Sequence, residues 1–143
     1  MPRTYTSIWI HSIWATKNRE GLLARRFRLL LFDHIKNSAE AKGFYVDIIN
    51  GIEDHVHCLF GMKPTQNVSD VIKNIKGESS RWIDEKAWVD GLFSWQEGYA
   101  AFSVSPSNLA RVRKYVYNQE SHHQNLTFEE EIIQLEKAAN LTQ

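Results

Sequence analysis

One cysteine, Cys58, is the only thiol in this 143-residue chain, so no disulfide can form within it. C-x-x-C and H-E-x-x-H spacings are both missing, which removes the usual signatures of structural and protease-type zinc sites. Apolar runs stop at four or five residues, as in Leu29-Leu30-Leu31-Phe32, far short of a membrane span. No apolar h-region follows Met1-Pro2-Arg3-Thr4, so no secretory pattern is read and a reducing, cytoplasmic setting is expected, with Cys58 as a buried thiol. Net charge is zero, which excludes broad electrostatic adhesion to nucleic acid as the sole basis of any binding. With three prolines and no repeat, low-complexity tract or linker, residues 1–143 are expected to form a single domain.

What is present is unevenly spread. Residues 1–42 hold eight Lys/Arg against three Asp/Glu, whereas Glu129 to Glu136 has four glutamates and no base. Such asymmetry fits an anion-binding face and a separate solvated tail. Thr6 to Thr16, rich in Ile and Trp on both faces, reads as a central strand. Arg26 to Lys42 has helical spacing, with Gly43 at the C-cap position. Phe44 to Asn50 and Val56 to Met62 read as a hairpin turned at Gly51-Ile52-Glu53-Asp54. Asn67 caps a second helix with Val71, Ile72, Ile75, Trp82 and Ile83 as its buried stripe. Tyr99 to Ser105 reads as a fourth strand. Pro106-Ser107-Asn108 then breaks and caps before a helix from about Leu109 to His123, and Thr127 with Glu130 forms a capping box for a last one. The order β-α-β-β-α-β plus C-terminal helices predicts an α+β, ferredoxin-like antiparallel sheet, an arrangement shared with RNA-recognition modules.

Two features carry chemistry. His55 and His57 flank one residue of a strand, so both imidazoles project from one face as a pair of candidate metal ligands, with Asp54 directly before them. Lone strand histidines are ordinarily core, but two pointing the same way are costly to bury without a shared cation or donor. On the helix after Pro106, Tyr115 and Gln119 are four residues apart and share one shoulder of the stripe Leu109, Val112, Val116, with His122 nearby. Plain packing accounts for a marginal tyrosine, though not for its pairing with an amide.

Taken together, several segments carry a resemblance to a known family. They are the run Ile10-His11-Ser12-Ile13-Trp14-Ala15-Thr16-Lys17-Asn18-Arg19; Asp54-His55-Val56-His57; Ile75-Lys76-Gly77-Glu78-Ser79-Ser80-Arg81; Trp95-Gln96-Glu97-Gly98-Tyr99; Phe102-Ser103-Val104-Ser105; and Val112-Arg113-Lys114-Tyr115-Val116-Tyr117-Asn118-Gln119, ending in His122-His123. In these the chain resembles the single-tyrosine HUH transposases of small bacterial insertion sequences, including their domesticated repeat-associated relatives. The resemblance implies that His55 and His57 bind a divalent cation, magnesium or manganese, with Gln119 as third protein ligand. It implies that Tyr115 attacks a phosphate of hairpin-bearing single-stranded DNA, leaving a 5′-phosphotyrosine and a free 3′-hydroxyl. It also implies homodimers whose tyrosine helices complete each other's sites, with Pro106-Ser107-Asn108 as a candidate hinge. Because magnesium prefers oxygen ligands to imidazole, a His-His-Gln site should bind it weakly until DNA phosphate completes the shell.

Lys17, Arg19, Lys73, Lys76, Ser79, Ser80 and Arg81 are the expected DNA contacts; the bland alternative for each is a solvated face. His11, Asp54 and His122 are expected to support the site, and His122 could replace Gln119. His34 and His123 are expected to pack. Trp88, Phe93, Trp95 and Tyr99 could stack bases, with core packing or a dimer seam as the bland alternative. Two other functions remain open here: a non-enzymatic RNA-recognition-type module, and a phosphodiesterase using water in place of Tyr115. The first lacks the K/R-G-F/Y-G/A-F signature.

Overall fold

The computed structural model describes residues 3–122 and 126–141. A four-stranded antiparallel sheet is ordered β2 (Tyr45–Gly51), β3 (His55–Gly61), β1 (Trp9–Ala15), β4 (Ala100–Val104). Helices α1 (Arg25–Ala41) and α2 (Val68–Lys86) supply the two crossovers. Three more follow β4: α3 (Leu109–Tyr117), α4 (Gln119–His122) and α5 (Phe128–Leu141). This is the ferredoxin-like order expected from the sequence.

Strand periodicity explains what each face does. On β1 and β3, Ile10, Trp14, Val56, Cys58 and Phe60 join a core with Phe27, Leu31 and Ile35 of α1 and Val71, Ile72, Ile75 and Ile83 of α2. The alternate residues, Trp9, His11 and Ile13 on β1 and His55, His57, Leu59 and Gly61 on β3, share the opposite face, as their cross-strand partners show. That face is covered at the His55 end by the C-terminal helices. Both sides of β3 are therefore dry from His55 to Phe60, and His55 and His57 are fully buried. Burial also pushes the Cys58 thiol up to about 12, so it is an inert core group.

Local signals set the element ends. Asn67 caps α2, its side-chain oxygen accepting from the Asp70 N–H at 2.9 Å. After α1, Gly43 takes φ +84°. Gly51 closes the hairpin because a Cβ there would lie 2.2 Å from the His55 carbonyl oxygen. The capping box forms as read: Thr127 Oγ1 accepts from the Glu130 N–H at 3.2 Å, and Glu130 reaches back to the Thr127 N–H.

Three expectations change. The single helix from Leu109 to His123 is interrupted at Asn118, which has ψ +23°. The Asn50 side-chain amide donates to the carbonyls of Val116 (3.1 Å) and Tyr117 (2.9 Å), satisfying groups a continuous helix would have used. Asn108 makes no side-chain cap; Pro106–Asn108 forms a 3-10 turn leading directly into α3. The first strand is also shorter than Thr6 to Thr16, although the Met62 N–H still pairs with Ile8 and Thr16 bridges to Trp95.

Candidate functional site

His55 and His57 present their Nε2 atoms to one oxygen. Glu131 Oε1 of α5 lies 3.1 Å from His55 Nε2 and 2.8 Å from His57 Nε2. Each ring is fixed from behind. His55 Nδ1–H donates to Asp54 Oδ1 at 2.8 Å, and His57 Nδ1 is 2.8 Å from His11 Nε2. His55 thus stands between two carboxylates, Asp54 and Glu131, and His57 between a neutral imidazole and Glu131, so a proton on either Nε2, or a cation in its place, is balanced by the Glu131 charge.

The electrostatics agree. Burial alone would depress the His55 imidazolium, but hydrogen bonds and charge from Asp54 and Glu131 outweigh it, and its pKa lies above the ordinary value. His11 moves the other way. Burial and repulsion from His57, only partly offset by Glu131, lower it to about 3, so it is a neutral partner.

Tyr115 and Gln119 reach the same carboxylate. The Tyr115 hydroxyl donates to Glu131 Oε2, and Gln119 Nε2 donates to that atom at 3.3 Å. The tyrosine ring stands edge-on to His57 and His11, at centroid distances of 5.7 and 6.0 Å. Burial, then the hydrogen bond to Glu131, raise its phenol well above the usual tyrosine value. Gln119 is fully buried beside them.

Polar clasps hold this tyrosine helix on its own chain. Asn50 of β2 grips the end of α3; Arg113 Nε donates to Asp47 Oδ2 at 2.6 Å; Arg28 and Arg25 of α1 hold Glu120 at 2.9 and 3.2 Å. Arg28 is itself buried, with its other arm on the Leu23 carbonyl.

Glu131 is the residue that sequence reasoning missed, having placed it in a solvated acidic tail. It is fully buried. One signal was available: Glu131, Leu135 and Ala138 recur at i, i+4 and i+7, so the glutamate sits on the inward face of α5. Leu135 and Ala138 do line a groove of about 280 Å³ beside Tyr115 and His11. His55, His57 and Glu131 have ligand atoms within 4.8 Å of one another, a set of two nitrogens and one oxygen that suits a divalent cation.

The expected DNA contacts separate into groups. Lys73, Lys76 and Ser80 line one open groove of about 410 Å³ with Tyr99, but the Lys76 ammonium donates to the carbonyls of Gln96 (2.6 Å), Glu97 (3.3 Å) and Gly98 (3.3 Å). Burial lowers its pKa. It thereby fixes the loop whose Gln96 side chain accepts from the Ala15 N–H at the end of β1. Ser79 is fully buried, donating to the Ile75 carbonyl at 2.6 Å and accepting from Trp95 Nε1 at 2.9 Å. Arg81 is engaged by Glu78 and Glu85. Lys17 and Arg19 are exposed in a 3-10 turn after β1, with Arg19 paired to Glu129 of α5. Phe93 and Trp95 are core, Trp88 stacks on Phe27, and His34 is paired with Glu78 and stacked on Trp82. The side chain of His122, and His123 altogether, lie outside the described residues.

A sheet-borne histidine pair, a buried carboxylate and a tyrosine converging on one point define a candidate metal-assisted group-transfer centre. Comparison with known proteins gives the class its family. The family described as "Transposase IS200 like" matches residues 4–119, and the chain belongs to it. It is therefore a transposase, a DNA-cleaving and strand-transferring enzyme. The ISDra2 transposase TnpA of Deinococcus radiodurans is 31% identical over 116 residues, spanning 76% of this chain and 81% of the relative. A crystal structure of a transposase from the same organism superposes with a TM-score of 0.63 at 28% identity, covering 83% of this chain and 96% of that one. The structure of a REP-associated tyrosine transposase bound to a REP hairpin has the same fold, with a TM-score of 0.58 at 16% identity over 86% of this chain and 73% of that one. Among the described residues no helix is long and apolar enough to cross a membrane.

Proposed function

We propose that the chain cleaves and rejoins single-stranded DNA at hairpin-marked ends through a 5′-phosphotyrosine at Tyr115. The observation that carries this reading is the convergence of His55 Nε2, His57 Nε2 and the Tyr115 hydroxyl on Glu131. A binding module has no need to bury two imidazoles, a carboxylate and a phenol around one point, because each must be desolvated. The hairpin is proposed from the relative solved with one bound.

His55 and His57 would hold a divalent cation, Mg2+ or Mn2+, with Glu131 as oxygen ligand and Gln119 as the further ligand implied by the resemblance. When bound, that cation polarises the scissile phosphate and offsets its developing charge. Asp54 and His11 keep the two imidazoles in the tautomer that faces inward. Tyr115 Oη attacks phosphorus while its proton passes toward Glu131 Oε2, the atom already accepting it in a hydrogen bond. The P–O3′ bond breaks and the leaving 3′-oxygen takes up a proton. The bond energy is stored in the phosphotyrosine, and attack by a new 3′-hydroxyl reverses the step without hydrolysis.

We propose that residues 1–143 work as one domain. The homodimer implied by the resemblance is retained, with each tyrosine serving the site of its own chain, a reading supported by the clasps from β2 and α1. Lys17, Arg19, Lys73 and Ser80 are the proposed strand contacts; Lys76, Ser79 and Arg81 act by positioning the loop and helix beside them.

The test is an incubation with Mn2+ and hairpin-bearing single-stranded oligonucleotides, followed by a denaturing gel. A covalent protein–DNA adduct that disappears in Tyr115→Phe is expected. An adduct surviving that substitution refutes the nucleophile, and free cleavage products with no adduct replace the transposase chemistry with hydrolysis.

A further inference from the structure

The histidine-bearing face of the sheet continues past the covered site to an open end. Trp9, Gly61 and Tyr45 form one cross-strand row there, Trp9 opposite Gly61 on β3 and Gly61 opposite Tyr45 on β2. Gly61 is four residues beyond His57 on the same strand and face, roughly 13 Å away at 3.3 Å per residue. Its missing side chain has a use. A Cβ at Gly61 would approach the Trp9 ring to 3.2 Å, a tight contact that would push the indole a few tenths of an ångström off the strand. Tyr45 meets the indole edge-on, centroids 5.9 Å apart at 75°, and Trp9 Nε1 donates to Ser7 Oγ at 3.2 Å.

The pair is fixed and yet uncovered. Tyr45 is 56% exposed. Around the two rings runs a groove of about 470 Å³ whose charged lining residue is Lys63; no carboxylate lines it among the described residues. Gln66 stiffens the rim, accepting from the Lys63 N–H and donating to the Gly43 carbonyl, each at 2.9 Å. Rigid aromatic faces beside an ammonium, in a groove with no lining carboxylate, suit flat, uncharged rings on a polyanionic backbone, which is the chemistry of a single-stranded nucleic acid.

We propose that the Trp9–Gly61–Tyr45 row is a second binding site, a stacking platform for unpaired bases of the DNA strand cut at Tyr115. It rests on the single-strand reading above and adds to it the place where the strand is held away from the reacting phosphate. One base stacks against the aromatic pair and Lys63 meets the adjoining phosphate.

The experiment reads binding in full-length Tyr115→Phe protein, which forms no adduct. A labelled DNA hairpin with a short oligothymidine tail is titrated beside the same hairpin without the tail. Tyr45→Ala is expected to weaken the tailed hairpin roughly five- to hundredfold, the span for loss of one stacking aromatic, and to leave the tailless one unchanged. Trp9→Phe, which keeps a ring, should stay near the parent, and Gly61→Ala should fall between them. Photocrosslinks from 5-iodouracil in the tail should map to Trp9 or Tyr45. Tailed affinity untouched by Tyr45→Ala, equal losses on both DNAs, or crosslinks confined to other segments overturn the platform. So does a change in the sedimentation of the DNA-free Tyr45→Ala protein, which would assign this face to contact between copies. Failure of the wild type to form an adduct would refute the phosphotyrosine chemistry while leaving the platform tested on its own terms.

Discussion

The Tyr115 hydroxyl donates to Glu131, sixteen residues further along the chain, and the other oxygen of that carboxylate lies between the Nε2 atoms of His55 and His57. Tyrosine and histidine pair are thus joined through one side chain of α5. A His-His-Glu set offers a hard anionic oxygen that His-His-Gln does not, so it should hold Mn2+ without DNA better than the sequence suggested. Glu131→Ala should weaken Mn2+ binding to the DNA-free protein at least roughly tenfold, whereas Tyr115→Phe should leave it unchanged. Isothermal titration measures both. Equal affinities in wild type and Glu131→Ala would return the third position to Gln119.

The two imidazoles are oriented by different partners, a carboxylate for His55 and a neutral histidine for His57. Asp54→Ala and His11→Leu should each lower Mn2+ affinity roughly ten- to a hundredfold. His11→Asn retains a side chain able to meet His57 Nδ1 and should recover most of the loss. If His11→Leu and His11→Asn bind the ion alike, His11 only fills space.

Clasping of α3 and α4 to their own sheet predicts the result of a mixing experiment. Tyr115→Phe and His57→Ala proteins should each be inactive alone and should stay inactive when combined. Covalent labelling of the His57→Ala chain in the mixture would show that tyrosine helices exchange. Asn50→Ala removes two hydrogen bonds to the end of α3, about 1 kcal/mol each. It should lower the melting temperature by roughly 4–8 °C.

Glu78 supplies a pH signature away from the site. Hydrogen bonds from Arg81, and next from His34, outweigh burial and hold its carboxyl near 2. Its folded-state pKa is thus below the unfolded value of about 4.5. The stabilisation is present above that value and is lost as pH falls from 4.5 toward 2. Glu78→Gln should therefore melt roughly 1–3 °C lower at pH 7, as suits a half-exposed pair, with the difference vanishing near pH 2. Thermal melts across that range measure it.

Local periodicity makes the centre of the site readable in the amino-acid sequence. Alternation in β3 puts His55 and His57 on one face, and helical spacing puts Tyr115 beside Gln119. The element order predicts the sheet. What stays hidden is long-range. Glu131 and Leu135 look like any amphipathic turn until α5 is seen to dock, and nothing local says which side chains a buried carboxylate will meet. Lys76 and Ser79 show the same limit: their types suit a phosphate, but the carbonyls of Gln96 to Gly98 and the indole of Trp95 reach them first. Asn50 shows it again, because only the packed fold reveals that a β2 amide ends α3 at Tyr117.

The family match ends at residue 119, and Glu131 lies beyond it. The group on which the histidines and the tyrosine converge therefore comes from a stretch outside the matched segment. On the metal reading proposed above, the oxygen ligand of the ion would therefore be set by α5, a helix that the family match does not reach.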